Sequence, residues 1–542
     1  MGGVLMQKNL TLIFFFALFS CIALFPIAWM FGGSLYEGGS LSFVYYYDIF
    51  LTKKYAGIIC RSLILASVTT IFAALIGVPA GFFLAKTNFF LKNFFKLCFF
   101  IPLIIPSYTI GIAWTNVLGK AGFLNQFLSH YFFFSPQSIY AFIYSIYGAS
   151  FILSMNLFPL IMIMTEYALK NVPSSLEESG LISGSFFQVM KGITLPLISP
   201  VIFSGMMIVF VFSLSEFGVP SFLQLNVLTT QIFTQFSAFY NEKAATALAF
   251  PLIMITIIIF VSEQCKMRGK SFEILGKSGS QAFMEYHFAW LRISGLVFCT
   301  ILFLITIILP FCSLLFSVHA LKVYRDAFAL AKNGIVNSVV FGGIGASILT
   351  VVGFFLGYAT EKTRWRLKEG LSSFVWIFFA VPATVAGIGL IKLWNRPHGA
   401  FQFIYGTLGI ILIGYIIRFA PLSSRIMANF FRQMPQSMEE AGAVTGASWF
   451  RITGNILAPL QKNGIIATWI ISFIFCIGEL GTTLLVYPPG HETLPIALFT
   501  VMANSPENIV SALTLLLIGM TLLPVGIFFL ISKYAFARKT TP

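Results

Sequence analysis

The chain has 542 residues, of which 58% are hydrophobic and only 9% are charged, and its formal net charge is +15. A soluble globular domain carries about 25% charged residues, and a soluble core could not hide this much apolar surface from water. The composition therefore excludes a soluble protein and indicates one that lies in membrane lipid. The seven cysteines show no paired spacing and the histidines are isolated, so neither disulfides nor a metal site is predicted.

Apolar segments of about 20 residues, the length that crosses a bilayer, recur along the chain. Because a spanning backbone must satisfy its own hydrogen bonds, runs of this length predict helices and not barrel strands. The first run is too long for a signal peptide, so we interpret it as an uncleaved anchor. The predicted fold is an all-α polytopic membrane protein with spans at 10–31, 57–85, 95–117, 139–164, 197–219, 244–262, 290–318, 335–360, 371–395, 406–427, 463–486 and 508–533.

The distribution of Lys and Arg sets the predicted orientation, because cytoplasmic loops carry an excess of these residues. With a cytoplasmic N-terminus, about two thirds of the Lys and Arg residues fall on the cytoplasmic side, with Arg418 counted among them. Both termini, and the polar loops after the fourth and tenth spans, are therefore predicted to be cytoplasmic. This bias explains the net charge without nucleic acid as a partner.

A short hydrophilic stretch occurs twice, once after the fourth span and once after the tenth. The second copy follows 262 residues later at the glutamates and 263 residues later at the final proline, so the first copy is one residue short. Each copy carries a proline, a serine, two glutamates, a glycine and a second proline: Pro173, Ser175, Glu177, Glu178, Gly184 and Pro196, then Pro435, Ser437, Glu439, Glu440, Gly446 and Pro459.

Further landmarks repeat in the same order. The matched pairs are Ser62 with Ser338, Lys86 with Lys362, Pro106 with Pro382, Gly111 with Gly387, Glu216 with Glu479, and Thr230 with Thr493. The offset falls from 276 to 262 residues along the chain, which predicts a longer segment between the third and fourth spans of the first half. Two parallel six-span halves follow, at 1–262 and 290–542, joined by a polar cytoplasmic linker at 263–289.

The residue types of the duplicated stretch have a physical interpretation. The first proline stops the preceding helix, the serine is suited to N-cap a new one, and the glutamates favour its positive end. The glycine permits a sharp turn, and the final proline suits entry into the next span. A single copy could be an amphipathic interfacial linker, but two copies in the same order favour an element on which a soluble partner docks twice.

The two stretches resemble the coupling-loop motif of binding-protein-dependent ABC importer permeases. Glu178, Gly184 and Pro196, and then Glu440, Gly446 and Pro459, stand at the motif positions. The chain departs from the usual pattern at Ser179-Gly180, where alanines are usual, and at Ala458, where leucine is usual. The resemblance covers nearly the whole chain and implies a type I ABC importer fold with both halves fused, in which the glutamates, glycines and final prolines of both copies couple to ATPases.

The resemblance also implies partners and a place in the cell. They are two copies of a cytoplasmic ABC ATPase, a periplasmic or lipid-anchored solute-binding protein, and the bacterial inner membrane. Gly269-Lys270-Ser271 and Gly276-Lys277-Ser278 look like ends of a phosphate-binding loop, but the glycine required five residues earlier is absent from both. We therefore expect no cofactor on this chain and no enzymatic activity, with ATP and Mg²⁺ held by the partner subunits.

The solute is less sharply defined by the sequence. Segments 214–220 and 485–495 look like those of ferric-iron permeases, although phosphonate and thiamine permeases share the fused plan. A secondary transporter driven by an ion gradient is the alternative from a different class, but it would not need paired docking motifs. A membrane enzyme would need a clustered nucleophile or metal set within the spans, and the sequence offers none.

Glu216 and Glu479 lie near the outer ends of the fifth and eleventh spans. Ionisable residues in spans are costly and tend to face a cavity or each other. Each glutamate could bond a neighbouring helix or mark the outer boundary of its span. Alternatively, the pair lines the solute path and attracts a hard cation, because carboxylate oxygen suits such ions.

Overall fold

The computed structural model of the protein describes residues 2–37, 39–120, 122–132, 135–267, 284–363, 368–397, 399–435 and 437–537. Over these ranges the regular structure is helical apart from one hairpin of two short strands, Tyr36–Glu37 and Ser40–Leu41. Twelve helical spans are long and apolar enough to cross a membrane when each of three bent helix pairs is counted once. They are numbered spans 1 to 12 in chain order.

Nine spans are continuous. In order they are spans 1, 2, 4, 5, 6, 7, 8, 10 and 12, at Gly3–Ser34, Lys53–Lys86, Ile146–Lys170, Phe186–Phe222, Glu242–Ser262, Ala289–Ser317, Leu321–Lys362, Gly409–Arg432 and Glu507–Phe528. Shorter helices lie between spans, at Val44–Leu51, Phe123–Tyr131, Pro136–Ile143, Ser174–Ser183, Leu228–Ser237, Gly399–Tyr405, Ser437–Val444, Thr483–Val486 and Leu494–Val501. All twelve spans overlap the predicted ones, so the predicted fold class is confirmed.

Spans 3 and 9 break in the middle. Span 3 bends by 102° between the helices that end at Ile104 and begin at Ser107, and span 9 bends by 96° between Gly370–Ala380 and Ala383–Trp394. The unbroken spans predicted at 95–117 and 371–395 are therefore wrong. The cause is Pro106 and Pro382, because proline has no N–H to continue the helix and pushes the preceding residue out of helical geometry.

Many other prolines lie inside the spans, and three of them share one local arrangement. A π-helical turn precedes each of them, at Met190–Thr194, Leu304–Ile308 and Thr453–Leu457, and Pro196, Pro310 and Pro459 follow two residues later. A proline ring clashes with the carbonyl four residues back, and the wider π turn accommodates it. Spans 5 and 11 thus begin well before the predicted residues 197 and 463. Span 11 bends by 78° between Trp449–Leu460 and Lys462–Gly478.

The two halves are built alike. In each half the second span packs on the fourth and fifth. Close approach depends on glycine: a Cβ atom at Gly81 would lie 2.6 Å from the Met162 carbonyl oxygen, and one at Gly357 would lie 2.7 Å from the Ser424 oxygen. Small residues allow such close packing of helices in a membrane.

The matched serines also make the same contact in each half. Ser62 Oγ accepts a hydrogen bond from the Leu228 N–H at 2.8 Å, and Ser338 Oγ accepts one from the Leu494 N–H at 2.7 Å. These contacts replace the predicted match of Thr230 with Thr493. Thr493 instead precedes its helix directly, as Val227 does in the first half.

The first span of each half packs against the opposite half. Span 1 contacts spans 8, 9 and 10, and span 7 contacts spans 2 and 3. The helix of span 6 continues to Met267 and span 7 begins at Ala289. Most of the predicted linker at 263–289, including both sequences that look like phosphate-loop ends, lies outside the described residues. The exchange of first spans ties the halves together on both sides.

Candidate functional sites: the two glutamate loops and a central cavity

Glutamate loop 1 consists of helix Ser174–Ser183 and the turn into span 5, and glutamate loop 2 consists of helix Ser437–Val444 and the turn into span 11. The predicted order of short helix, turn and span is present in both. The predicted N-caps are wrong, however. The first helix begins directly after Pro173, so Ser175 is its second residue, and Ser437 is itself helical.

The two neighbouring glutamates of loop 1 have different surroundings. Glu177 is fully buried and pairs with Lys86 Nζ at 2.5 Å, and both side chains are 0% exposed. It also accepts hydrogen bonds from Thr194 Oγ1 at 3.0 Å and from the Tyr286 hydroxyl at 3.3 Å. Burial, reinforced by the charge of Glu177, raises the pKa of Tyr286 far above its ordinary value, so the phenol stays a hydrogen-bond donor. Glu178 points outward and is exposed.

Loop 2 shows the same division with a more open anchor. Glu439 pairs with Lys8 Nζ at 2.7 Å and accepts a hydrogen bond from the Tyr358 hydroxyl. The side chain of Lys8 is 15% exposed and that of Glu439 is 18% exposed. Lys8 Nζ also lies 4.9 Å from the Tyr358 ring and 5.2 Å from the Trp449 ring. Glu440 is exposed. Glu439 therefore contacts Lys8 in span 1, in the opposite half, whereas Glu177 contacts Tyr286, at the end of the linker before span 7.

The outward faces of the two loops match each other. Leu176 and Ile182 flank Glu178, and Met438 and Val444 flank Glu440 at the equivalent positions, 262 residues on. All four apolar side chains are exposed, Ile182 to 87% and Val444 to 73%. Exposed apolar groups around a carboxylate are typical of an interaction surface. The structure thus presents the same exposed surface, apolar around a carboxylate, twice.

The turns of the two loops differ by the one residue that the sequence comparison showed. Gly446 has a φ of +79°, whereas Gly184 is extended with a φ of −155°. Ala447 is the additional residue between the glycine and the serine that precedes the next helix. A left-handed φ is strained for any residue with a Cβ atom. Only loop 2 therefore needs glycine for its backbone conformation.

A cavity of about 210 Å³ lies between the two halves. Its walls include the broken parts of spans 3 and 9, the ends of spans 5 and 11, and one polar residue from each of spans 4 and 10. Glu216 and Glu479 both line it. The structure therefore brings together the two carboxylates that the repeat related, and it keeps them apart from the glutamate loops.

Each cavity carboxylate caps the short segment that follows it. Glu216 Oε1 accepts hydrogen bonds from Ser107 Oγ at 2.7 Å and from the Gly218 N–H at 2.9 Å. Glu479 uses both oxygens, accepting from the Thr482 N–H at 2.7 Å and the Thr483 N–H at 2.9 Å. The long helices stop at Ser215 and Gly478, and the carboxylates accept from otherwise unpaired N–H groups at the start of the short helices that follow, Gly218–Phe222 and Thr483–Val486.

Two residues that the sequence analysis missed hold the broken spans. Asn156 Nδ2 donates to the Ile105 carbonyl at 3.0 Å, and Arg418 Nη1 donates to the Val381 carbonyl at 2.6 Å. Asn156 and Arg418 are equivalent by the 262-residue offset, which was the available signal. Counting Arg418 with the cytoplasmic charges was wrong, because it lines the cavity. Over the described ranges, no three His, Cys, Asp or Glu side chains are grouped to hold a metal ion.

Comparison with known proteins places both halves in one family. The family described as binding-protein-dependent transport system inner membrane component matches residues 77–263 and 349–542. The Fe(3+)-transport system permease protein FbpB 2 of Haemophilus influenzae is 24% identical over 500 residues, covering 90% of this chain and 92% of that protein.

Two further relatives differ in how much they cover. The putative ferric transport system permease protein FbpB 1 of Haemophilus influenzae is 25% identical over 85% of this chain and 74% of its own length. A putative 2-aminoethylphosphonate transport system permease protein PhnV of Salmonella typhimurium is 25% identical over 36% of this chain and 72% of its own length. The ferric relatives therefore match both halves, whereas the phosphonate relative matches 194 residues, which is less than the length of one half.

We expect Glu177→Gln to lower the free energy of unfolding by about 3–5 kcal/mol, because it leaves Lys86 charged and unpaired in a buried site. Glu178→Gln is the matched control and should change it by no more than about 0.5 kcal/mol, since Glu178 is exposed. Thermal unfolding of the purified chain in detergent measures both. Equal melting temperatures for the two variants would contradict this account of the buried pair.

Gly446→Ala should destabilise loop 2 by about 1–2 kcal/mol, because alanine is strained at a left-handed φ. Gly184→Ala should cost less, since its Cβ would meet only the flexible end of Gln188, at 2.9 Å from Oε1. Hydrogen–deuterium exchange of helices Ser174–Ser183 and Ser437–Val444 measures the difference. A larger increase in exchange for helix Ser174–Ser183 in Gly184→Ala than for helix Ser437–Val444 in Gly446→Ala would contradict the assigned turn geometry.

Proposed function

Since this chain belongs to the family of binding-protein-dependent transport system inner membrane components, we propose that it carries ferric iron across the bacterial inner membrane. It is the permease subunit of an ABC importer, and a solute-binding protein and ATPases are its partners. In the proposed assembly, two copies of one ATPase dock on the glutamate loops and hydrolyse ATP with Mg²⁺, while this chain binds no nucleotide.

The iron assignment is supported by the extent of the similarity to ferric permeases. Two named ferric transport permeases match 85% and 90% of this chain and 74% and 92% of their own length. The cavity adds a chemical reason, because the carboxylates of Glu216 and Glu479 favour a hard cation. No second cargo has support of both kinds.

The arrangement of two ATPases of one kind is supported by the likeness of the loops. The exposed groups around Glu178 and those around Glu440 have the same chemical character in the same order, so one type of ATPase groove can receive both. Both loops follow an even-numbered span and therefore lie on one side of the membrane. The Lys and Arg distribution makes that side cytoplasmic, together with both termini.

A continuous helix connects loop 1 to the cavity. Span 5 is helical from Phe186, beside the loop, to Ser215, directly before Glu216. Thirty residues of helix extend roughly 45 Å at 1.5 Å per residue. A displacement of the loop by an ATPase therefore moves the end that holds Glu216. Span 11 makes the equivalent connection to Glu479 through its bend.

Replacing Glu178 and Glu440 together by alanine should release the ATPases or uncouple transport from ATP hydrolysis, because it removes the charge at the centre of both docking surfaces. The mass of the purified native complex and its ATP-dependent iron uptake are measured together. We expect two ATPases per wild-type chain and an uptake at least about tenfold lower in the variant.

Replacement of the inner glutamates, Glu177 and Glu439, provides the control, because it should lower the stability of the chain, whereas replacement of Glu178 and Glu440 should affect docking without lowering stability. A double variant that keeps both ATPases and transports normally would contradict the docking role of the loops. A wild-type complex with a single ATPase, or ATP hydrolysis by this chain alone, would contradict the proposed subunit arrangement.

Glu216→Gln tests the solute path most cleanly, because an amide oxygen can keep the bonds that Glu216 Oε1 accepts. Glu479→Gln cannot do so, since both oxygens of Glu479 accept backbone N–H groups. We expect Glu216→Gln to lower iron uptake about tenfold, equivalent to about 1.4 kcal/mol, at normal abundance. Glu479→Gln should also lower the melting temperature.

The measurement is radioactive iron uptake per folded transporter, with ATPase copurification as the control for assembly. Unchanged uptake in Glu216→Gln would leave Glu216 as a capping residue only and contradict its place in the path. Loss of the ATPases in this variant would show that the cavity and the loops are not separate sites.

A further inference from the structure

Arg418 has a charge and more hydrogen-bond donors than are needed to hold the break in span 9. Its equivalent in the first half, Asn156, holds the carbonyl of the broken span with a neutral amide. Arg418 makes the corresponding bond to Val381 with one nitrogen, Nη1. A guanidinium has five N–H donors and is always charged. The charge and the remaining donors of Arg418 therefore serve something other than the bend.

Three hydrogen-bonding groups of the cavity residues have no partner over the described parts of the chain. They are the Nε of Arg418, the hydroxyl of Tyr108 and the hydroxyl of Ser215. Each is a potential donor, and a buried donor without an acceptor is costly. The hydrogen bonds that the cavity carboxylates accept come from Ser107 and from backbone N–H groups, and not from these three donors. Because the three residues also line the cavity, a ligand that enters it is one source of the missing acceptors.

The charges of the cavity are mixed. Glu216 and Glu479 supply two carboxylates, and Arg418 supplies a guanidinium that cannot lose its proton. Arg418 offsets part of the charge of the two buried carboxylates, and its fixed positive charge also repels a bare cation. A cargo with a cationic centre and anionic oxygen atoms fits both signs. The volume of about 210 Å³ is also larger than a single ion needs.

We propose that Arg418, with Tyr108 and Ser215, binds an oxyanion that crosses with the metal, so that the cavity accepts a metal–oxyanion complex and not a bare ion. This inference rests on the proposed function for its metal, but not for its oxyanion. The guanidinium donates to an anionic oxygen, while Glu216 and Glu479 face the cationic centre. Phosphate and a carboxylate chelator share the required oxygen chemistry and are the two sources.

The test uses the complete complex in proteoliposomes, with ATPases, ATP and an iron-loaded binding protein. Radioactive iron is supplied with either labelled inorganic phosphate or labelled citrate, and both labels are counted inside. Arg418→Asn copies the first half and keeps a donor for Val381, and Arg418→Lys keeps the charge but replaces the fork of five N–H donors by one ammonium group with three. Arg432→Asn is the matched control, because Arg432 lies in the same span but pairs with Glu361 away from the cavity.

We expect one of the two oxyanion labels to enter in constant ratio to iron, which identifies its source. Arg418→Asn should lower the entry of iron and of that oxyanion about tenfold. The uptake by Arg418→Lys should lie between those of Arg418→Asn and the wild type, and the uptake by Arg432→Asn should match the wild type. Iron that enters with neither label, or wild-type uptake in Arg418→Asn, would overturn the proposal while leaving the iron function intact. Entry of an oxyanion that depends on Arg418 without iron would instead reject iron as cargo and keep the oxyanion site.

Discussion

The architecture depends on one constraint, which is that a backbone inside lipid must find a hydrogen-bond partner for every N–H and C=O group. Ten spans meet this constraint without a break at mid-span. Spans 3 and 9 break at Pro106 and Pro382, and side chains must then replace the lost helical bonds. Asn156 and Arg418 do this for the carbonyls before the prolines. Because the breaks require these polar side chains, the cavity at the centre of the molecule is lined by polar and charged groups.

Spans 5 and 11 connect the two candidate sites. The glutamates that cap the ends of spans 5 and 11 lie in the cavity, and the opposite ends of those spans lie beside the glutamate loops. Loop 1 is in turn anchored by the linker, through Tyr286 to Glu177, and loop 2 by the other half, through Lys8 to Glu439. In the proposed assembly, a displacement of either loop is transmitted to the cavity along span 5 or span 11.

The sequence predicted the features that depend on composition and repetition. Long apolar runs identify spans whatever their neighbours are, and the offset between halves related Glu216 to Glu479 before any contact was known. It could not show which glutamate of each loop is buried, because Glu177 and Glu178 differ only in helical phase against Lys86 and Tyr286. It also missed the breaks at Pro106 and Pro382, since Pro196 and Pro459 look the same in sequence but are absorbed by π turns.

The central claim is that both glutamate loops contact ATPases on one face of the membrane. Photo-crosslinking in the assembled complex tests it most directly, with a photoreactive amino acid placed at Ile182 or Val444, and at the exposed Tyr240 between spans 5 and 6 as a control. Both loop positions should capture an ATPase, and position 240 should capture none. Capture at only one loop, at neither, or at position 240 would contradict the claim.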